Sequence, residues 1–113
     1  MSSATPIRAV LMAAEIRDNG NGFHRLVFKV DGGRSGMTSV TVLISQDAYR
    51  KLAGQLTRAR VQHVERSTLL KTWARWEIAV RLDEQGVLPS TVTVTASDLD
   101  DFGAYAMAFA RAL

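Results

Sequence analysis

A strand that leads directly into a helix constrains this chain most, because the same pattern occurs twice. The first copy spans residues 38–56 and the second spans residues 90–113. In the first copy, Val40, Val42 and Ile44 recur at every second position, which is typical of a strand with one buried face. The chain is therefore predicted to contain both a sheet and helices.

Each strand ends at a serine that is suited to begin a helix. Ser45 offers a side-chain oxygen to the unpaired N–H groups of a first helical turn, and Asp47 follows where the helix dipole favours an anion. In the second copy, Ser97 and Asp100 have the spacing of a capping box. The first helix is predicted to bury an apolar stripe made of Tyr49, Leu52, Ala53 and Leu56.

The two copies can be aligned further towards the N-terminus without a gap. From the pair 27/79 to the pair 45/97, five of nineteen positions are identical. We interpret the chain as one α+β domain, residues 1–113, with two tandem β-meander-then-helix units that form a pseudo-symmetric antiparallel sheet. The units are residues 7–57 and 59–113. The alternative is that two Val-Thr-Val strands coincide by chance.

Two segments, one near the start of each unit, fit more than one structure. In residues 7–17, the preceding Pro6 and the helix-forming composition favour a helix, whereas the Asn19-Gly20 pair favours the first strand of a hairpin. We interpret this segment as a strand. Residues 58–72 fit either a continuing helix or the opening strand of the second unit, and the sequence leaves both open.

The tryptophan-containing segment fits two periods at once. Helical spacing relates Leu69, Trp73, Trp76 and Val80, whereas strict alternation relates Trp76, Ile78, Val80 and Leu82. The repeat favours a strand from Ala74 to Asp83, and one long helix is the alternative. Between the strands of the first unit, the glycine-rich residues 31–36 lack the lysine and spacing of a P-loop, so they predict a hairpin connection.

Composition and charge exclude several classes of site. The chain has no cysteine, which excludes disulfides, thiolate zinc sites and a cysteine nucleophile and fits a cytoplasmic location. Asp98, Asp100 and Asp101 form the one acidic cluster, and carboxylates at a helix N-terminus are expected for capping alone. His63 has no neighbouring metal-ligand partner. We therefore predict no enzyme activity, no catalytic residue, no metal and no cofactor.

The outward face of the predicted strands gives the leading functional hypothesis. The formal net charge is +3, and residues 50–81 carry eight positive and two negative charges. Aromatic rings can stack on bases while cations contact phosphates, so such a face suits single-stranded nucleic acid. The residues predicted to share this face are Phe23, Arg25, Lys29, Trp73, Arg75 and Arg81.

The arrangement resembles that of the Pur-alpha and Whirly type of single-strand nucleic-acid-binding proteins. The likeness covers Phe23 to Leu56 and Trp73 to Leu113, and it depends on the strand ending in Ser45, followed by Tyr49 and Arg50 in the helix. This resemblance implies paired strand-to-helix modules that form a pseudo-dimer and bind nucleic acid on their sheets.

The C-terminal helix is predicted to be apolar on nearly every side. Its main stripe consists of Leu99, Phe102, Tyr105, Ala106, Phe109 and Leu113. The remaining surface, Ala104, Met107, Ala108 and Arg111, carries one charge and would suit contact with a second subunit. The alternative function is therefore a protein-interaction or assembly module that self-associates through this helix into a homo-oligomer such as a homodimer. No membrane partner is predicted.

Overall fold

The computed structural model of the chain describes residues 15–18, 22–31 and 37–113. The fold is α+β. Its elements are β1 (Glu15–Asp18), β2 (Phe23–Asp31), β3 (Met37–Ser45), α1 (Gln46–Arg58), α2 (Arg66–Gln85), β4 (Thr91–Val94), a short 3-10 helix (Ala96–Leu99) and α3 (Ala104–Ala110). The first predicted strand is present over residues 15–18, and its predicted beginning, residues 7–14, lies outside the described residues.

The sheet has the strand order β1-β2-β3-β4. Strands β1, β2 and β3 are antiparallel neighbours, which confirms the predicted meander. The connection predicted over residues 31–36 lies, apart from Asp31, outside the described residues. Strand β4 instead lies parallel to β3, with Val42 opposite Val92 and Ile44 opposite Val94. A parallel pair needs a long crossover connection, and α1 and α2 supply it. The prediction of a wholly antiparallel sheet is therefore wrong at β4.

One face of the sheet forms the floor of the hydrophobic core. Side chains alternate across a strand, so every second residue points to the same face. The fully buried apolar side chains of this face are Leu26, Phe28, Val30, Val40, Val42, Ile44, Val92 and Val94. All of them belong to one buried cluster with residues from the three helices. The protein thus has two layers in its described part: a sheet, and helices against one side of it.

Helix α1 begins where the sequence predicts. The backbone N–H of Ala48 donates a hydrogen bond of 2.9 Å to the hydroxyl of Ser45, which is the N-cap. Of the predicted stripe, Leu52 and Leu56 are buried, and Tyr49 and Ala53 are half-buried. The N-cap prediction at Ser45 is confirmed.

Helix α2 overturns the predicted strand from Ala74 to Asp83. The segment is helical from Arg66 to Gln85, and Gly86 ends it in the left-handed conformation at φ 72°. The physical reason is the burial pattern, because only helical geometry brings the buried residues onto one stripe: Leu69, Leu70, Trp73, Ala74, Glu77 and Ile78. No glycine or proline interrupts residues 66–85. The strands that precede β3 thus have no counterpart before β4, and the tandem pseudo-symmetric repeat is not shown.

The C-terminal segment is broken rather than one continuous helix. The 3-10 helix is capped by Thr95 and Asp98, two residues before the predicted Ser97 and Asp100. Phe102 (φ 58°) and Gly103 (φ 84°) then take left-handed conformations, which interrupt the helix before α3. Of the predicted apolar stripe, Leu99, Ala106 and Phe109 are buried and Tyr105 is half-buried, whereas Phe102 and Leu113 are exposed.

None of the helices in the described ranges has the length and apolar character that a bilayer crossing requires.

Candidate nucleic-acid interface

The sheet face opposite the helices displays two cations on β2. Arg25 and Lys29 are exposed, and Phe23 and Val27 on the same face are half-buried. Adjacent residues on one face of a strand are about 6.7 Å apart, so the Cα atoms of Arg25 and Lys29 are separated by about 13 Å. The three predicted site residues of the first unit therefore do share an orientation.

The neighbouring strands extend this surface with hydroxyl groups. In the β2–β3 register, Lys29 lies opposite Ser39, Val27 opposite Thr41 and Arg25 opposite Leu43. On β4, the exposed residues Thr91 and Thr93 lie opposite Thr41 and Leu43 of β3. We call this surface the open face and define it by the following residues: Phe23, Arg25, Val27, Lys29, Ser39, Thr41, Leu43, Thr91 and Thr93.

The other three predicted site residues lie on α2, in the helical layer. Trp73 is completely buried, and its ring is 6.3 Å from the rings of both Tyr105 and Phe109. Arg75 is exposed on α2, and Arg81 is half-buried. The predicted six-residue face is therefore not formed, because α2 places Trp73, Arg75 and Arg81 in the layer that covers the opposite side of the sheet.

Trp73 belongs to a buried polar network that the sequence did not reveal. Its indole Nε1 donates a hydrogen bond of 2.7 Å to the hydroxyl of Tyr105, which in turn donates a short hydrogen bond to Oε2 of Glu77. Glu77 is buried, and its Oε1 lies 3.4 Å from Nε of Arg81. Burial, together with the negative charge of Glu77, raises the pKa of Tyr105 well above its ordinary value.

This network connects α2 to α3. Trp73, Glu77 and Arg81 are spaced four residues apart, so they lie along one side of α2. That spacing is the one signal in the sequence from which the network could have been found. The Tyr105 ring also meets Trp76 edge-to-face at 5.2 Å. The Tyr105 hydroxyl satisfies both the Trp73 indole and the Glu77 carboxylate, whereas Nε of Arg81 has the ion-pair contact with Glu77 but no hydrogen bond to a described residue. These contacts within the core indicate a structural role.

A second cluster lies where β2, α1 and α2 begin. His24 is buried, and Nη2 of Arg66 lies 3.1 Å from its Nδ1 and 3.2 Å from its Nε2. Tyr49 meets the His24 ring edge-to-face at 5.9 Å, and its own ring is 5.8 Å from the guanidinium carbon of Arg66. Throughout the described ranges, His, Cys, Asp and Glu form no group of three or more able to hold a metal ion.

The acidic cluster near the C-terminus caps helices and forms an ion pair. Asp98 accepts the backbone N–H of Thr95 at 2.8 Å, and the oxygens of Asp101 accept that of Tyr105 at 3.0 Å and 3.1 Å. Asp100 forms an ion pair with Lys51. The capping role predicted for these carboxylates is confirmed at Asp98 and Asp101.

The predicted interface residues of the C-terminal helix lie on its exposed side. Ala104, Met107 and Ala108 in α3 and Arg111 at its C-cap are all exposed, while Ala106 and Phe109 face the core. The structure thus brings these four residues together on one surface, and their self-association stays a prediction at this point.

Comparisons of the chain with protein-family models, with curated proteins and with solved structures found no match. By its geometry the chain is an α+β protein with a mixed sheet. The described helices cover one side of this sheet, and the open face lies on the other side.

Proposed function

We propose that this protein binds single-stranded nucleic acid on the open face, without catalysis. The observation that carries this proposal is the position of Phe23, Arg25 and Lys29 on one strand, on the side of the sheet away from the helices. This is a smaller site than the sequence predicted, since it uses one strand instead of two equivalent units.

The chemistry of the open face matches the groups of a nucleic acid. Arg25 and Lys29 contact phosphates, and the half-buried ring of Phe23 offers a surface on which a base can stack. Val27 and Leu43 lie between them as an apolar floor, half-buried. Exposed hydroxyls around this floor donate hydrogen bonds to phosphate and sugar oxygens; they belong to Ser39, Thr91 and Thr93.

The charge on the open face supports a polyanionic ligand. Among the nine residues that define the open face, all on β2, β3 and β4 between Phe23 and Thr93, two are cationic and none is a carboxylate. The whole chain also has a formal net charge of +3. Two cations about 13 Å apart imply a short footprint of about four nucleotides, at the small end of the range for single-strand binding folds.

The magnitude of the salt dependence follows from the number of cations. If Arg25 and Lys29 each neutralise one phosphate, the slope of log K against log salt is about −1.4 for a single strand. Such a slope is shallow, so binding is expected to be measurable at low salt and weak at physiological salt.

Fluorescence anisotropy with labelled single-stranded oligonucleotides tests the proposal. We expect the Arg25→Ala and Lys29→Ala double variant to lose most binding and to bring the slope close to zero. The matched control is the double variant Arg50→Ala and Arg75→Ala, which removes two exposed cations from the helical layer and should leave the slope near −1.4.

Two results would refute the proposal. One is the absence of binding by the unmodified chain at low salt. The other is an equal loss of affinity in the Arg50→Ala and Arg75→Ala control, which would show that binding follows total charge rather than the open face. A Phe23→Leu variant separates stacking from charge, since it should lower affinity by about 1–3 kcal/mol without changing the slope.

A further inference from the structure

We propose that a second copy of this chain docks on a groove beside Phe102, in a two-fold symmetric pair. The groove lies between the end of α1 and the start of α3, and its lining residues besides Phe102 are Gln55, Arg58, Ala59, Gly103, Ala106 and Met107. We call it the Phe102 groove. This inference goes beyond nucleic-acid binding, because the groove belongs to the helical layer and the open face to the sheet.

Phe102 is presented to solvent by an unusual backbone conformation. Its φ is 58°, a left-handed value that a bulky residue rarely adopts, and its side chain is fully exposed at 110% of the reference area. Residues held in such sparsely populated backbone conformations cluster at binding sites. Met107, which lines the groove, is also exposed, at 48%. The surface therefore offers an apolar projection directly beside an apolar recess.

A projection next to a recess favours a second copy as the occupant. In a two-fold pair the same surface serves both subunits, so each contact is made twice in reciprocal form. Phe102 of each copy can then enter the groove of the other copy, and both exposed rings are buried in one closed interface. A buried aromatic anchor in a pocket is also the usual source of binding energy at such surfaces.

Charges beside the groove are complementary in the same arrangement. Arg58 lines the groove, is exposed, and forms no ion pair with any described residue. Asp101 immediately precedes Phe102 and is exposed. When Phe102 enters the groove of the second copy, Asp101 approaches Arg58 of that copy. Opposite charges thus accompany the projection and the recess, which steers one copy towards the other.

The interface predicted from the sequence on α3 is continuous with this surface. Met107 belongs to both, and Ala104 and Ala108 are small residues that allow close approach. The structure adds Phe102, Arg58 and Asp101 to this surface. The sequence does not indicate them, because it predicts one continuous helix with Phe102 in its apolar stripe.

Light scattering coupled to size exclusion, over a series of protein concentrations, tests the apolar contact. We expect the unmodified chain to reach twice the mass of one chain at high concentration, and Phe102→Ser to stay at the mass of one chain. The matched control is Val87→Ser, which removes another exposed apolar side chain (64% exposed) outside the groove and should leave the dimer intact. An unmodified chain that stays monomeric, or a Phe102→Ser variant that dimerises normally, would overturn the proposal.

A charge exchange tests the orientation of the pair. The single variants Arg58→Glu and Asp101→Lys each place like charges together in their own homodimers, so each is expected to be monomeric. Mixing them pairs opposite charges at both contacts, so the mixture should regain the dimer mass. Thermal unfolding of each variant checks its folding, since Asp101 also caps α3. A mixture of two folded variants that stays monomeric would overturn the proposed two-fold arrangement.

Discussion

Replacing Tyr105 by phenylalanine removes the oxygen atom that joins Trp73 to Glu77 in the buried polar network. The phenol accepts a hydrogen bond from the Trp73 indole at 2.7 Å and donates one to the Glu77 carboxylate. The substitution keeps the aromatic ring, and hence its edge-to-face contact with Trp76. The change in the free energy of unfolding therefore reports the hydroxyl rather than the packing of the ring.

The structure allows the size of this loss to be worked out. Trp73 is completely buried, so its N–H cannot turn to water, and an unpaired buried donor costs about 1–3 kcal/mol. Glu77 is also buried and would keep only the contact with Arg81, and a hydrogen bond to a charged group contributes about 1.5–3 kcal/mol. The two losses share one hydroxyl and are not additive. We expect a total of about 2–4 kcal/mol.

Urea unfolding, monitored by tryptophan fluorescence, measures this loss. The slope of the unfolding free energy against urea concentration should be the same in the variant and the unmodified chain. The matched control is Tyr49→Phe, because the half-buried Tyr49 hydroxyl has no hydrogen-bond partner among the described residues. That variant should lose less than about 0.5 kcal/mol. An equal effect of the two substitutions would refute the argument that the hydroxyl of Tyr105 stabilises the contact between α2 and α3.

Two further predictions follow from the same contacts and from the first helix. The pKa of Tyr105 is raised in the folded state, so above pH 10 the unfolded chain releases the phenol proton while the folded chain keeps it. The free energy of unfolding should therefore fall with rising pH by up to about 1.4 kcal/mol per pH unit. Urea unfolding at a series of pH values measures this fall, and the Tyr105→Phe variant should lack the part of it that Tyr105 causes. Ser45→Ala removes the cap on the N–H of Ala48 and should cost about 1 kcal/mol in the same assay, whereas Ser97→Ala, at an exposed serine that is not the N-cap, should cost less.

The first half of the fold was predictable because local signals there agree with one another. Alternation along β2, the glycine-rich sequence before β3 and the capping serine Ser45 all indicate the same elements, and each signal is local in the chain. The position of β4 was not predictable in this way. Its parallel pairing with β3 depends on the path of α1 and α2 across the sheet, which the alternation of Val92 and Val94 does not encode.

The strand predicted for the tryptophan segment is wrong because the repeat is a weaker signal than the local sequence pattern. Alternation from Trp76 to Leu82 is compatible with a strand, but twenty residues without glycine or proline, ended by Gly86, are typical of a helix with a glycine C-cap. Glu77 also separates the two interpretations. In a strand it would lie on the face opposite Trp76 and Ile78, whereas α2 buries it where Tyr105 can reach it.

The helical state of α2 also determines which experiment can distinguish the functional hypotheses. Had residues 74–83 formed a strand, Arg25 and Arg75 would have lain on the same predicted face, and removal of either would have weakened nucleic-acid binding. Because Arg75 instead lies on the layer behind the sheet, the two arginines differ in position while they share charge and exposure. A difference between Arg25→Ala and Arg75→Ala is therefore specific to the open face, and equal effects would mean that the protein attracts nucleic acid only through its overall positive charge.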